Sequence, residues 1–136
     1  MYKTANFSLS EVVNGTQDFP DELTPVGMYL MGMLQTLRDG FSEEVGVDVP
    51  VSIRSGYRSR EYNATLPGAS PNSHHIWKVN PDGTFVCAVD TSVPEQYLDP
   101  WFNYCAKTIH GEVYRHRRFN FVHIAPEQLY DETFSI

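Results

Sequence analysis

The stretch SHHIWKVNPDGTFVCAVD, residues 73–90, decides how the middle of the chain folds. It begins with two adjacent histidines, His74 and His75, and ends at Asp90 after an apolar run. The NPDG segment between them has proline at the second turn position and glycine at the fourth, which predicts a type I turn with a bulge. We therefore predict two strands joined by this turn, which return the histidines to the neighbourhood of the aspartate.

The segments around this hairpin predict a mixed fold. Residues 7–13 predict a short helix with Ser8 as its N-cap and Glu11 as the capping-box partner. Apolar residues at helical spacing predict a long helix from Pro25 to Gly46 that packs on a sheet. The other predicted elements are a strand at 49–57, a helical turn at 58–64, a helix at 93–109, and strands at 110–114 and 119–124.

These elements predict one α+β domain over residues 1–136, with helices packed on one side of a small, mostly antiparallel sheet. Cys87 and Cys105 do not form a disulfide framework, and we predict that both are thiols of the core.

Composition and charge exclude several classes of function. The chain has 136 residues, of which 41% are hydrophobic, and its net charge is −7. The negative charge argues against nucleic acid as a partner, and no apolar run is long enough to span a membrane. The first residues lack the pattern of a signal peptide, which predicts synthesis in the cytoplasm. The oligomeric state stays open.

Three residues predict a metal site. His75, Asp90 and His123 offer two imidazoles and one carboxylate, the ligand types that catalytic zinc uses with a fourth position open. Asp90 ends an apolar strand, and a buried carboxylate requires a partner. Spacing alone leaves a purely structural role open for each histidine, because a histidine in a strand is more often a core residue.

Four motifs, in this order, resemble the zinc-dependent D-alanyl-D-alanine peptidases: SGYRS at 55–59, S-x-H at 73–75, A-x-D at 88–90 and FVH at 121–123. That family includes VanX- and VanY-type enzymes and many phage endolysins, and it shares the Hedgehog/DD-peptidase fold. The similarity covers residues 7–125. It implies that His75, Asp90 and His123 bind Zn²⁺, with His74 as the fallback for the first ligand.

The resemblance also implies roles in substrate binding. Arg58 corresponds to the arginine that holds or polarises the substrate, although a salt bridge that organises the loop is the structural alternative. Ser73 and Tyr57 are the further candidates for contact with the substrate, and Ser73 has loop capping as its alternative.

Two departures from the family pattern affect the site. The gap from His75 to Asp90 is fifteen residues instead of the seven of the family pattern, and we interpret residues 77–85 as an inserted hairpin that accounts for the difference. Asn120 stands where many members carry the glutamate that acts as general base. A hairpin that pairs Arg115 with Arg118 would put Glu112 diagonal to His123, so Glu112 is the candidate base.

Two histidines remain as fallbacks near this base. His116 is the reserve for Glu112, and the same register would put His110 directly opposite His123, as a residue that assists the site or replaces a ligand.

Two hypotheses about function follow. The first is a zinc peptidase, of phage endolysin or carboxypeptidase type, that hydrolyses stem or cross-bridge peptides of peptidoglycan. It would act after release by lysis or as part of a virion. The second is an inactive virion or cell-wall-binding module that keeps the fold and the zinc. The sequence does not distinguish an endopeptidase from a carboxypeptidase.

Overall fold

The computed structural model describes residues 4–13, 19–116 and 118–128. The helices are α1 (Leu9–Val13), α2 (Thr24–Val45), α3 (Arg60–Ala64) and α4 (Leu98–Thr108), with 3₁₀ turns at Asp21–Leu23 and Glu95–Tyr97. The strands are β1 (Ser52–Ser55), β2 (Lys78–Val79), β3 (Phe85–Val86), β4 (Val89–Ser92), β5 (Gly111–His116) and β6 (Phe121–Pro126). The main sheet has the order β1-β4-β6-β5 with antiparallel neighbours, and β2 pairs with β3 in a separate sheet.

The core lies between the helices and one face of the main sheet. Val89 of β4 is paired with Ile124 of β6, and both are fully buried in the same core as Trp101 of α4. The indole Nε1 of Trp101 donates a hydrogen bond of 2.9 Å to the hydroxyl of Thr91. Since successive side chains of a strand point to opposite faces, the residues between these core positions face away from the helices. The predicted α+β class, with helices on a small antiparallel sheet, is confirmed.

Two predicted helix boundaries are confirmed, the capping pair at the start of α1 and the glycine cap of α2. The backbone N–H of Ser8 donates a 3.0 Å hydrogen bond to the carboxylate of Glu11, as in a capping box. Helix α2 begins at Thr24, one residue before the predicted Pro25, and ends at Val45, with Gly46 as its C-cap at a left-handed φ of 88°. The sequence predicts a polar loop from Asn14 to Thr24, of which residues 14–18 lie outside the described residues.

The middle of the chain differs in one respect from the predicted pair of strands. The turn is as predicted, because Gly83 N–H donates to the Asn80 carbonyl at 2.9 Å and Gly83 has φ 88°. However, the second predicted strand is broken at Cys87 and Ala88 into β3 and β4. Among the described residues, the hairpin strands β2 and β3 pair only with each other, and β4 belongs to the main sheet. The break lets the hairpin project from the sheet while β4 stays in the core.

The register of the last two strands was predicted wrongly. Tyr114, and not His110, is paired with His123, and Glu112 is paired with Ala125. The turn takes in Phe119 and Asn120, because asparagine tolerates the left-handed φ of 53° that it has there. Both strands therefore extend two residues beyond their predicted ends. The observed pairing is shifted from the predicted one by an even number of residues. Every side chain of the two strands therefore stays on its predicted face of the sheet.

Both cysteines are free and buried, as predicted. Burial raises the pKa of both thiols, that of Cys87 to about 12. In the described ranges, no helix has the length and the apolar character needed to cross a membrane.

Candidate metal centre and substrate cleft

Two adjacent strands and one loop bring three possible metal ligands together on the sheet face that points away from the helices. Asp90 of β4 is paired with His123 of β6, and His75 lies in the loop before the hairpin. One ligand atom from each residue lies within 4.8 Å of the others. All three are buried, with exposed fractions of 3% for His75, 4% for Asp90 and 5% for His123. The arrangement can hold one metal ion.

The hydrogen bonds of His75 test whether this set fits a cation. Its Nδ1 lies 2.7 Å from the carbonyl oxygen of Gly56, which can only accept, so Nδ1 carries a proton. A neutral ring then presents the lone pair of Nε2 to Asp90 Oδ1, another acceptor, at 3.2 Å. Two acceptors at this distance repel each other unless a proton or a cation lies between them. The Gly56 carbonyl therefore orients His75 as an outer partner orients a metal ligand.

Asp90 is the charged centre of the site. Its Oδ1 is also 2.8 Å from Nδ1 of His123. Burial by itself raises the pKa of Asp90, but when both rings are protonated their hydrogen bonds and charges, from His123 and His75, outweigh burial and lower this pKa to about 2. The carboxylate is therefore ionised at neutral pH and can act as a metal ligand.

Arg58 lies beside Asp90 and is held by the chain around it. Its Nη2 is 3.9 Å from Asp90 Oδ2, and its backbone N–H donates to the His75 carbonyl at 2.7 Å. The guanidinium also donates to the side chains of Ser55, at 3.3 Å, and of the buried Asn63, at 3.4 Å. Three side-chain contacts therefore fix the positive charge next to the possible metal position, and the backbone hydrogen bond fixes the residue itself.

Strand β5 adds two side chains to the same face. The ring of Tyr114 stacks on His123, with centroids 4.5 Å apart. Burial, followed by the charges of Asp90 and Glu112, raises the pKa of Tyr114, so its hydroxyl keeps its proton at neutral pH. Oε1 of Glu112 is 2.8 Å from Nε2 of His123, although the orientation of the two groups is not that of a hydrogen bond. Glu112 is half-exposed, so its carboxylate is open to solvent and to a ligand.

These residues lie in a cleft of about 600 Å³. Its floor includes the three possible ligands, and its rim includes Arg58, Glu112 and Tyr114. At one end of the cleft, His116 stacks between Phe119 and Phe121, with centroid distances of 5.0 and 4.7 Å. The other wall is the loop at residues 66–74.

The remaining predicted residues divide into two groups. Ser73 and His74 line the cleft: the Ser73 hydroxyl accepts from the His75 N–H at 3.2 Å, and His74 Nδ1 is 4.0 Å from Glu112 Oε1. Ser73 therefore caps the loop that carries His75.

Three residues named as candidates lie outside the lining of the cleft. Tyr57 is 5% exposed and its ring packs against Trp77, while its contact with substrate stays a prediction. His110 is exposed, and its carbonyl accepts from the Glu127 N–H, while Asn120 lies in the turn before β6.

Sequence reasoning missed Tyr114, Asn63 and Gly56. Tyr114 was missed because the predicted pairing of β5 with β6 was shifted by two residues on each strand. Asn63 holds both the Arg58 guanidinium and, through its amide, the Ser70 carbonyl at 2.8 Å, a contact that only the folded loop creates. Gly56 was read only as part of a motif, although its carbonyl orients His75.

A buried set of two imidazoles and one carboxylate, with an arginine and an exposed carboxylate beside it in a cleft, defines a metal site of the kind used in metal-dependent hydrolysis. The model of the peptidase M15 family matches residues 5–125. The chain therefore belongs to the peptidase M15 family, whose members are metallopeptidases. No curated protein and no solved structure matches the chain.

Proposed function

We propose that the protein is a zinc-dependent peptidase that hydrolyses amide bonds in the peptides of peptidoglycan. The observation that carries this proposal is the convergence of His75, Asp90 and His123 at the floor of a cleft, in a chain of the peptidase M15 family. Peptidoglycan as the substrate follows from the family and from the resemblance of the motifs.

Zinc would be held by His75, Asp90 and His123, where it supplies Lewis acidity to the substrate carbonyl and lowers the pKa of water. Two neutral imidazoles and one carboxylate are ligands that suit zinc. The chain contributes a negative charge at Asp90 and a fixed orientation of His75 through the Gly56 carbonyl.

Glu112 is the proposed general base. Its carboxylate is the acidic group of the cleft rim, and its Oε1 is 2.8 Å from the ring of His123. It accepts a proton from the water that attacks the amide carbonyl and passes this proton to the leaving nitrogen. Asn120, at the sequence position of the usual base, lies in a turn outside the cleft lining and has no role in this step.

Arg58 and Tyr114 are the proposed donors to the substrate. The guanidinium of Arg58 is fixed by Ser55 and Asn63, so binding a carbonyl or carboxylate oxygen costs little further ordering. The protonated hydroxyl of Tyr114, above His123, is suited to donate to the oxygen that becomes negatively charged during attack.

The setting in which the protein acts is part of this proposal. The motifs resemble the short phage endolysins, which favours action on the cell wall after lysis or from a virion. The second candidate is a binding module without hydrolytic activity. One observation favours it: the carboxylate of Glu112 contacts the imidazole of His123, a proposed metal ligand, at 2.8 Å.

The test is digestion of purified peptidoglycan by the zinc-loaded protein, followed by measurement of newly released amino groups. We expect hydrolysis that a chelator abolishes and added Zn²⁺ restores. The Glu112→Gln variant should bind zinc in equimolar amount and lose at least about a hundredfold in rate, the usual contribution of a general base. Glu43→Gln, a change on the exposed side of α2, is the matched control and should retain full activity.

The outcomes separate the candidates. Equimolar zinc without hydrolysis by the unmodified protein would favour the binding module. Hydrolysis that survives Glu112→Gln would remove Glu112 as the base and keep the peptidase. Purified protein that binds no zinc and needs another metal for activity would contradict the assignment of zinc.

A further inference from the structure

Asn63 is a buried asparagine near the end of helix α3, beside the cleft but outside its lining. Ser59 caps the start of this helix, because its hydroxyl accepts from the Tyr62 N–H at 3.0 Å. After the helix, the chain enters the loop at residues 66–74, which forms one wall of the cleft. The short helix therefore places the Asn63 amide between Arg58, which precedes the helix, and the loop that follows it.

Both hydrogen bonds of the Asn63 amide require the same orientation of this group. Oδ1 accepts from Nη1 of Arg58 at 3.4 Å, and a guanidinium can only donate. Nδ2 donates to the Ser70 carbonyl at 2.8 Å, and a carbonyl can only accept. A carboxylate at this position would lack the donor, and an aliphatic side chain would lack both groups. The position therefore requires an amide.

The Asn63 amide closes a ring of hydrogen bonds through the wall of the cleft. The Ser70 carbonyl also accepts from the Ser73 N–H at 3.1 Å, and the Ser73 hydroxyl accepts from the His75 N–H at 3.2 Å. The His75 carbonyl accepts from the Arg58 N–H at 2.7 Å, and the Arg58 guanidinium donates to Asn63. The ring therefore fixes the Arg58 charge relative to the loop and to the first possible metal ligand.

Asn63 holds a different part of the guanidinium from the other two side chains that contact it. Ser55 accepts from Nε at 3.3 Å, and Oδ2 of Asp90 lies 3.9 Å from Nη2, whereas Asn63 accepts from Nη1. Three nitrogens held by three partners leave this planar group one orientation. A guanidinium that is already held loses little freedom when a substrate oxygen binds to it.

We propose that Asn63 is a positioning residue for substrate binding, because its amide holds Arg58 in the orientation that binds a substrate oxygen. This proposal rests on the proposed function, in which Arg58 is a donor to the substrate. Asn63 acts through Arg58 and not through the metal, since the Gly56 carbonyl orients the ring of His75. Loss of the amide should therefore weaken substrate binding and leave zinc binding and the chemical step unchanged.

The test is a double-mutant cycle of Asn63→Leu and Arg58→Lys, with hydrolysis of soluble muropeptides by the zinc-loaded protein measured as released amino groups. Asn63→Leu should raise KM about two- to tenfold, the cost of ordering one long side chain, and change kcat by less than about twofold. In the Arg58→Lys background, Asn63→Leu should not raise KM further, because an ammonium group lacks the fork that Asn63 holds. A residue that only stabilises the fold would change KM by the same factor in both backgrounds.

Asn80→Leu is the matched control. The Asn80 amide also donates to a neighbouring side chain, Thr84, at 3.0 Å, but it lies in the inserted hairpin and lines a separate pocket that the hairpin encloses. This variant should retain the KM of the unmodified protein. Calorimetric titration with Zn²⁺ is the second measurement. Asn63→Leu should lose less than the about tenfold in zinc affinity that loss of an outer partner of a metal ligand causes.

Urea unfolding shows whether the variants fold. Asn63→Ser, which is smaller and polar, replaces the leucine variant if that variant does not fold, with the same expected results. Failure of both to fold would show that Asn63 serves the fold and would overturn the proposal. An unchanged KM, an equal rise of KM in both backgrounds, or a loss of zinc affinity of about tenfold or more would also overturn it while the peptidase assignment stands. Absence of hydrolysis by the unmodified protein would overturn the proposed function, and the role of Asn63 with it.

Discussion

Replacement of Gly56 by alanine tests how the first helix and the metal site depend on each other. Gly56 follows β1, and its missing side chain faces the end of α1. A Cβ added there would overlap the carbonyl oxygen of Val12 and lie 2.7 Å from its carbonyl carbon and 3.1 Å from its Cα. These are backbone atoms, so no side-chain rotation relieves the overlap.

The expected magnitude follows from these distances. Carbon atoms in contact are about 3.5–4.0 Å apart, so the backbone of Val12 and Gly56 must separate by roughly 1 Å. The hydrogen bond of 2.7 Å from the Tyr57 N–H to the Val12 carbonyl spans the same point and would be strained or lost. Overpacking and one lost hydrogen bond together lower the free energy of unfolding by about 2–4 kcal/mol. The Gly56 carbonyl that orients His75 moves as well, so zinc affinity should fall about tenfold or more.

Urea unfolding in the presence of a chelator measures the stability, and calorimetric titration with Zn²⁺ measures the affinity. The matched control is Gly32→Ala on the exposed side of α2, where no described atom lies within 4 Å of the added Cβ. Alanine should stabilise that helix position by up to about 1 kcal/mol. A surface substitution usually changes the free energy of unfolding by no more than about 0.5 kcal/mol. If Gly56→Ala changes it by no more than this, the argument from close approach is refuted.

Three further predictions concern buried groups. Cys87 and Cys105 should not react with a thiol reagent at pH 8 in the native protein, since burial raises the pKa of both, and should react after unfolding; fast labelling of the native protein would contradict this. In the metal-free protein, the lowered pKa of Asp90, about 2 against the ordinary 3.8, stabilises the fold above about pH 4. This contribution, on the order of 2 kcal/mol, should be lost as the pH falls through 2, and urea unfolding of Asp90→Asn should show a smaller loss. Trp101→Phe removes a buried hydrogen bond to Thr91 and leaves a cavity, so the free energy of unfolding measured in urea should fall by about 2–3 kcal/mol. An unchanged midpoint of urea unfolding would contradict the role of this contact.

Local chemistry in the sequence predicted several features of the fold correctly. The capping pair Ser8 and Glu11, the end of α2 at Gly46 and the turn at 80–83 each depend on a few adjacent residues, and each is present. The apolar residues at helical spacing predicted helix α2, and its side chains Leu30, Leu34 and Leu37 are buried in the core. These features follow from the conformational preferences of neighbouring residues, which act before any tertiary contact is made.

The geometry of the candidate site depends on strand pairing, which local conformational preferences do not predict. Residue type and motif selected the three possible metal ligands, His75, Asp90 and His123. Glu112 was selected by its face of β5, and the observed pairing, shifted by an even number of residues, preserves that face. The pairing of Tyr114 with His123 was not predictable, because two short strands with polar ends can pair in several registers of similar local energy.

What the sequence by itself determined is the set of elements and the types of residue that can bind a metal, because both depend on short-range preferences and on side-chain chemistry. Only the tertiary structure decided the register of β5 on β6, the break between β3 and β4 and the pocket that the hairpin encloses. These features depend on contacts between residues far apart in the chain, such as Phe85 with Gln128 and Gly56 with Val12. Packing of the whole core selects among the alternatives that local preference leaves open.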